Sequence, residues 1–150
     1  MTPILNIVHQ LLFTKEAKGA LSWVLRTFSC FSDGGNQQIQ KILDLGCVET
    51  IVSLLSPSVS PQVINPALRT IGNLASGTNE QVEILTKLNL IESISPFLRH
   101  SAKVTRKEAA WALSNIMASN EECVASAFNF EDGKLLDRLF YMIDKEDFEV

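Results

Sequence analysis

Glu108, Trp111 and Asn115 stand three and four residues apart, so on a helix a carboxylate, an indole and a carboxamide fall on one stripe. The same spacing recurs at Trp23, Arg26 and Cys30, and the pair Arg69 and Asn73 repeats its second half. These residue types suit the capture of an extended cationic chain. An Asn side chain offers both a donor and an acceptor, so it pairs with a peptide N–H and C=O without reading sequence. An indole face walls an aliphatic stem and attracts the cation beyond it by about 0.5–2 kcal/mol. A carboxylate such as Glu108 adds a charge-assisted hydrogen bond to that cation.

A helical wheel separates this stripe from the core. Over Val104 to Ser119, residues Ala109, Ala110, Leu113, Ile116 and Met117 fill an arc of about 120°. Glu108, Trp111 and Asn115 lie elsewhere, beside Ala112 and Ser119. Over Pro66 to Ser76, the core set is Ala67, Leu68, Ile71, Leu74 and Ala75, and Arg69 and Asn73 share the outer stripe. Two plainer roles compete with ligand binding. Trp111 could pack against a neighbouring helix, and Asn73 and Asn115 could bond backbone carbonyls between helices.

The elements that position the stripe repeat along the chain. Arg26 to Gly34, Arg69 to Gly77 and Trp111 to Ser119 are three versions of one segment, offset by 43 and 42 residues. Leu12, Leu55 and Leu98 keep the same register. The second repeat is legible as a short helix over Asn36 to Gly46 closed by that glycine, a middle helix over Cys47 to Leu55, and a long helix from about Ile64 to Ser76. The third copies it over Asn79 to Leu88, Leu90 to Arg99 and Val104 to Ser119. Asn89 takes the place of Gly46 and is expected to adopt the left-handed conformation, and Pro96 should kink the middle helix. A helical period near 42 residues predicts an all-α right-handed superhelical solenoid of the armadillo or HEAT type.

The expected division is a partial repeat over 1–35, full repeats over 36–77 and 78–119, and a partial repeat over 120–150. Thr2 to Leu12 matches a middle helix, and Asn120 to Phe130 and Lys134 to Lys145 match a short and a middle helix. Neither end looks like a polar capping repeat, so the chain reads as a piece of a longer gene product. Lys15, Glu16 and Lys18, and Glu146, Asp147 and Glu149, read as solvated helix ends.

Composition narrows the function classes. Of 150 residues, 46% are hydrophobic, which supports a packed core, and the net charge of −4 argues weakly against a phosphate backbone as partner. Cys30, Cys47 and Cys123 lack close spacing, so no disulfide framework is expected. No signal peptide or membrane span is visible, and the expected setting is soluble and intracellular. His9 and His100 are isolated, and no Gly-rich phosphate loop occurs. The chain is therefore expected to be a non-enzymatic module with no cofactor and no metal.

Asn65 to Asn73 and Arg106 to Ile116 resemble importin α, the armadillo-repeat adaptor that reads nuclear localisation signals. The Ser32-Asp33-Gly34 turn running into Asn36 to Gln40 is similar to the same family. The order of the repeats, Arg69 in place of Trp followed by an intact Trp111–Asn115 pair, resembles its middle-to-late repeats. The resemblance implies that Arg69, Asn73, Glu108, Trp111, Ser114 and Asn115 belong to a minor peptide groove. It implies Lys/Arg-rich nuclear localisation signals as ligands, residence in cytoplasm and nucleus, and importin β as a further partner through a basic segment not seen in this chain. Arg26, Cys30 and Trp23 depart from the family pattern, which has Trp, Tyr or Asn, and commonly an acidic residue at these places. A slot needs two walls and only Trp111 is present here, so weak binding by this segment alone is expected. The rival reading is an armadillo scaffold in signalling or adhesion that binds acidic or helical partners, favoured by Arg26 and Arg69 along the groove.

Overall fold

The computed structural model describes residues 3–14 and 19–145. The two charged clusters expected to be solvated helix ends lie outside the described residues. Among the described residues ten α-helices follow one another: α1 Pro3–Phe13, α2 Leu21–Ser32, α3 Asn36–Asp44, α4 Val48–Ser53, α5 Pro61–Leu74, α6 Asn79–Thr86, α7 Leu90–Ile94, α8 Lys103–Ser119, α9 Glu121–Asn129 and α10 Lys134–Lys145. A short 3₁₀ turn at Ser95–Arg99 follows α7, and a turn at Phe130–Gly133 with Glu131 and Asp132 left-handed follows α9. No strand occurs among the described residues.

Local chemistry sets the helix ends. Ser60 caps α5 by accepting the Gln62 N–H, and Pro61 occupies the first turn, where a missing N–H costs nothing. The long helix therefore begins three residues earlier than the apolar pattern indicates. Thr78 and Gln81 close a capping box on α6. Asn120 caps α9 by accepting the Cys123 N–H at 2.8 Å. Gly46 follows α3 with φ of 64°, a left-handed conformation that glycine adopts without a Cβ clash.

Three expectations are corrected. The middle helix of the second repeat is only Val48–Ser53, shorter than Cys47 to Leu55. The middle helix of the third repeat is split into α7 and a 3₁₀ turn that carries Pro96 in its first turn. The proline lacks the N–H that an α-helix would need there, so the break falls at the expected place. Asn89 is not left-handed. Its φ of −62° and ψ of 61° form an inverse γ-turn, closed by the Leu90 N–H donating to the Leu88 carbonyl.

The third helices form the spine. α5 packs between α2 and α8, and these are the most extensive helix contacts in the chain. Leu25 and Phe28 of α2, Leu68 and Ile71 of α5, and Ala109 and Leu113 of α8 are fully buried along this stack. Ile39, Ile42, Ile51 and Phe97 close the core from the shorter helices. Ala112, assigned to the outer stripe by the wheel, is also fully buried, because α8 meets α5 on that flank.

Polar ties run from each repeat to its equivalent in the next. Thr105 donates to Asn65 Oδ1 at 2.8 Å, and Gln81 donates to the Asn36 carbonyl and to Gln40 Oε1 at 2.9 and 3.0 Å. Each tie joins residues 40 to 45 apart, so the sequence period is written into the hydrogen bonds. These bonds satisfy polar groups at the seams and fix the stacking register.

Candidate peptide groove

Helices α2, α5 and α8 border a trough of about 670 Å³. Trp23 and Arg26 line it from α2, Pro61, Asn65 and Arg69 from α5, and Glu108 from α8. Arg69 and Glu108 meet across it as a fork. Nη2 lies 2.5 Å from Oε1 and Nε lies 3.1 Å from Oε2. The hydrogen bond to Glu108 raises the Arg69 pKa further above its ordinary value. Glu108 is the more enclosed partner, and Arg69 reaches it from an exposed position.

Trp111 sits one turn beyond Glu108 and is 40% exposed. Its ring rests on the backbone of α5 at Gly72. A Cβ at Gly72 would lie 2.4 Å from Cζ3 and 2.8 Å from Cε3 of the indole, and 3.1 Å from Cα of Ala112. Only the absence of a side chain allows α5 and α8 to approach so closely. Asn115, half-buried, donates to the Gly72 carbonyl at 3.0 Å and holds the same junction from the other side. Ser114 is exposed, and its hydroxyl donates to the Trp111 carbonyl at 2.8 Å.

Asn73 is placed differently from its expected role. It is 6% exposed and donates to the Ser29 carbonyl at 3.1 Å and to Ser32 Oγ at 2.9 Å. Its amide ties α5 to α2 inside the seam rather than standing on the outer stripe with Arg69. Of the six sequence-derived residues, Arg69 and Glu108 form one pair, and Trp111, Ser114 and Asn115 form a second group on α8. Asn73 joins neither. Gly72 was missed by sequence reasoning, although a glycine inside a long helix is itself a sign of close approach. The Arg69–Glu108 pair was also missed. It follows from the period, since Glu108 lies one repeat on from Arg69 and one turn back.

The first repeat contributes Trp23, 69% exposed, with the Arg26 guanidinium 5.5 Å from its ring centroid. Cys30 is exposed on the same stripe, whereas Cys47 and Cys123 are buried. Burial pushes the Cys47 thiol up to about 11, so it stays protonated at neutral pH. Among the described residues, no group of three or more His, Cys, Asp or Glu side chains is placed to hold a metal ion. No helix among them is long and apolar enough to cross a membrane.

A family model for the armadillo/beta-catenin-like repeat matches residues 35–76 and 78–118. The chain belongs to the armadillo-repeat family, a fold that serves as a binding scaffold. It is similar to a designed armadillo repeat protein solved in complex with the peptide (KR)4, with 32% identity and a TM-score of 0.83 over 97% of this chain and 59% of that one. A second designed armadillo repeat protein gives 29% identity and a TM-score of 0.83 over 95% of this chain and 58% of that one. Computationally designed armadillo repeat proteins for modular peptide recognition give 30% identity and a TM-score of 0.80 over 94% and 57%. The chain thus spans a little under three-fifths of these structures. No curated protein matches the chain significantly.

Proposed function

We propose that the chain is a peptide-recognition module of the importin α kind, which holds an extended Lys/Arg-rich nuclear localisation signal for nuclear import, in cytoplasm and nucleus. One observation carries this reading: Glu108 already receives a guanidinium in a two-bond fork, beside the exposed indole of Trp111. A ligand arginine that displaces the exposed Arg69 side chain there would repeat that bond and lay its stem on the indole. Asn115 spends one amide N–H on Gly72 and keeps the other, with its carbonyl oxygen, for a peptide backbone. The likeness to a designed armadillo protein bound to (KR)4 supports the same ligand chemistry. In this reading Asn73 is a positioning residue that sets the angle of α5, and Arg69, Glu108, Trp111, Ser114 and Asn115 face the ligand.

The test is a titration of labelled peptides followed by fluorescence anisotropy. A Lys/Arg-rich peptide is expected to bind weakly but at least about tenfold more tightly than an acidic peptide of equal length, a difference of about 1.4 kcal/mol. Preference for the acidic peptide would favour the signalling or adhesion scaffold and sink the import reading.

A further inference from the structure

The polarity of the groove reverses between α2 and α8. Trp23, Pro66 and Glu108 occupy equivalent places in successive repeats, and so do Arg26, Arg69 and Trp111. On α8 the pair is carboxylate then indole, which suits a cation. On α2 it is indole then guanidinium, in the same register. The trough is lined by two cations, Arg26 and Arg69, and a single carboxylate, Glu108. Arg69 and Glu108 satisfy each other. Among the described residues Arg26 has only the Trp23 ring as its partner, in a chain whose net charge is −4.

A cation–π contact with an indole 5.5 Å away does not consume guanidinium hydrogen bonds. The guanidinium keeps its five N–H donors for another partner. Ser22 and Gln62 line the same end of the trough and add neutral donors. This arrangement accepts the oxygens of an anionic side chain.

We propose that the α2 end of the trough is an anion-receiving subsite, in which Arg26, in cation–π contact with Trp23, takes a carboxylate or phosphate side chain of the bound peptide. The ligand is then bipolar, with its cation at Glu108 and Trp111 and its anion at Arg26. This rests on the basic-peptide reading for the cationic end only. Packed helices lie about 8–10 Å apart, so α2 and α8 are separated by roughly 16–20 Å. An extended chain rises about 3.3 Å per residue, which sets the anion roughly five or six residues from the anchoring cation.

The experiment uses Lys/Arg-rich peptides that carry a single Glu, Gln, Lys or phosphoserine at each of several distances from the basic block, on either side. Binding is measured by anisotropy to the chain and to its Arg26→Gln and Arg26→Glu variants. At one spacing near five or six residues, Glu is expected to bind about three- to fivefold more tightly than Gln, the scale of an exposed ion pair. Phosphoserine should do at least as well, and an effect confined to phosphoserine would assign the anion to a modified peptide. The Glu-to-Gln ratio should fall to near one in Arg26→Gln, and Arg26→Glu should prefer Lys at that position. A ratio that never exceeds one, or one that persists in Arg26→Gln, overturns the subsite. The Gln peptide reports on the basic-peptide reading separately. If it fails to bind, a peptide with the anion and no basic block must still bind in an Arg26-dependent way, and its failure to do so also overturns the subsite.

Discussion

Gly72→Ala is expected to destabilise the chain by about 1–3 kcal/mol, the usual cost of overpacking, although alanine is the better helix former. In an open helix the exchange would gain about 1 kcal/mol. Here the new methyl would sit 2.4 Å from the Trp111 ring and 3.1 Å from the Ala112 backbone. The ring can swing aside. The Ala112 backbone moves only if α5 and α8 separate along a seam that buries Leu68, Ile71 and Leu113. Thermal unfolding should shift downward by about 2–4 °C per kcal/mol lost. A second change, Trp111→Leu, removes the two shortest contacts, so the double variant should be more stable than Gly72→Ala alone. Such non-additivity marks residues in direct contact. A higher melting temperature for Gly72→Ala would show that the two helices are not in close approach there.

Glu108→Lys is expected to abolish selection of basic peptides, with a loss of at least about tenfold in affinity, or 1.4 kcal/mol. The change removes the carboxylate that holds the guanidinium fork and leaves three cations, Arg26, Arg69 and Lys, around one trough. Affinity for an acidic peptide should rise in the same variant, and both shifts should shrink in high salt as the charges are screened. Folding should be nearly unaffected, because an ion pair with one exposed partner is worth about 0–1 kcal/mol. Lost binding with an unchanged melting temperature therefore separates recognition from stability. Unaltered affinity for the basic peptide would remove Glu108 from the site.

Much of this was legible in the sequence because a solenoid repeats its instructions. The register of Arg26, Arg69 and Trp111, and the break at Pro96, were readable from spacing and residue type alone. The stripe on α8 was legible for the same reason, and Glu108, Trp111 and Ser114 do reach the surface or its edge.

What escaped was set by neighbours that a helical wheel does not contain. A wheel assumes one buried face, yet α5 is packed on both flanks, by α2 and by α8. The α2 flank buries Asn73 against Ser29 and Ser32, and the α8 flank buries Ala112 at the Gly72 crossing. The plainer role weighed for the carboxamides, bonding carbonyls between repeats, is what Asn73 and Asn115 do in the structure. Asn89 escaped for a local reason. The connection from α6 to α7 has the same three residues as that from α3 to α4, but it turns at Asn89 through the Leu90 N–H to Leu88 carbonyl bond instead of through a left-handed residue.

The account turns on whether the indole of Trp111 is a ligand surface as well as a packing element, and the chain's two tryptophans make that measurable. Indole N–H resonances can be followed by ¹⁵N-resolved NMR during titration with a Lys/Arg-rich peptide that lacks acidic residues. The account predicts that the Trp111 indole and the Asn115 side-chain amide shift saturably while Trp23 stays nearly still. A titration in which both remain fixed, or in which only an acidic peptide moves Trp111, would contradict it.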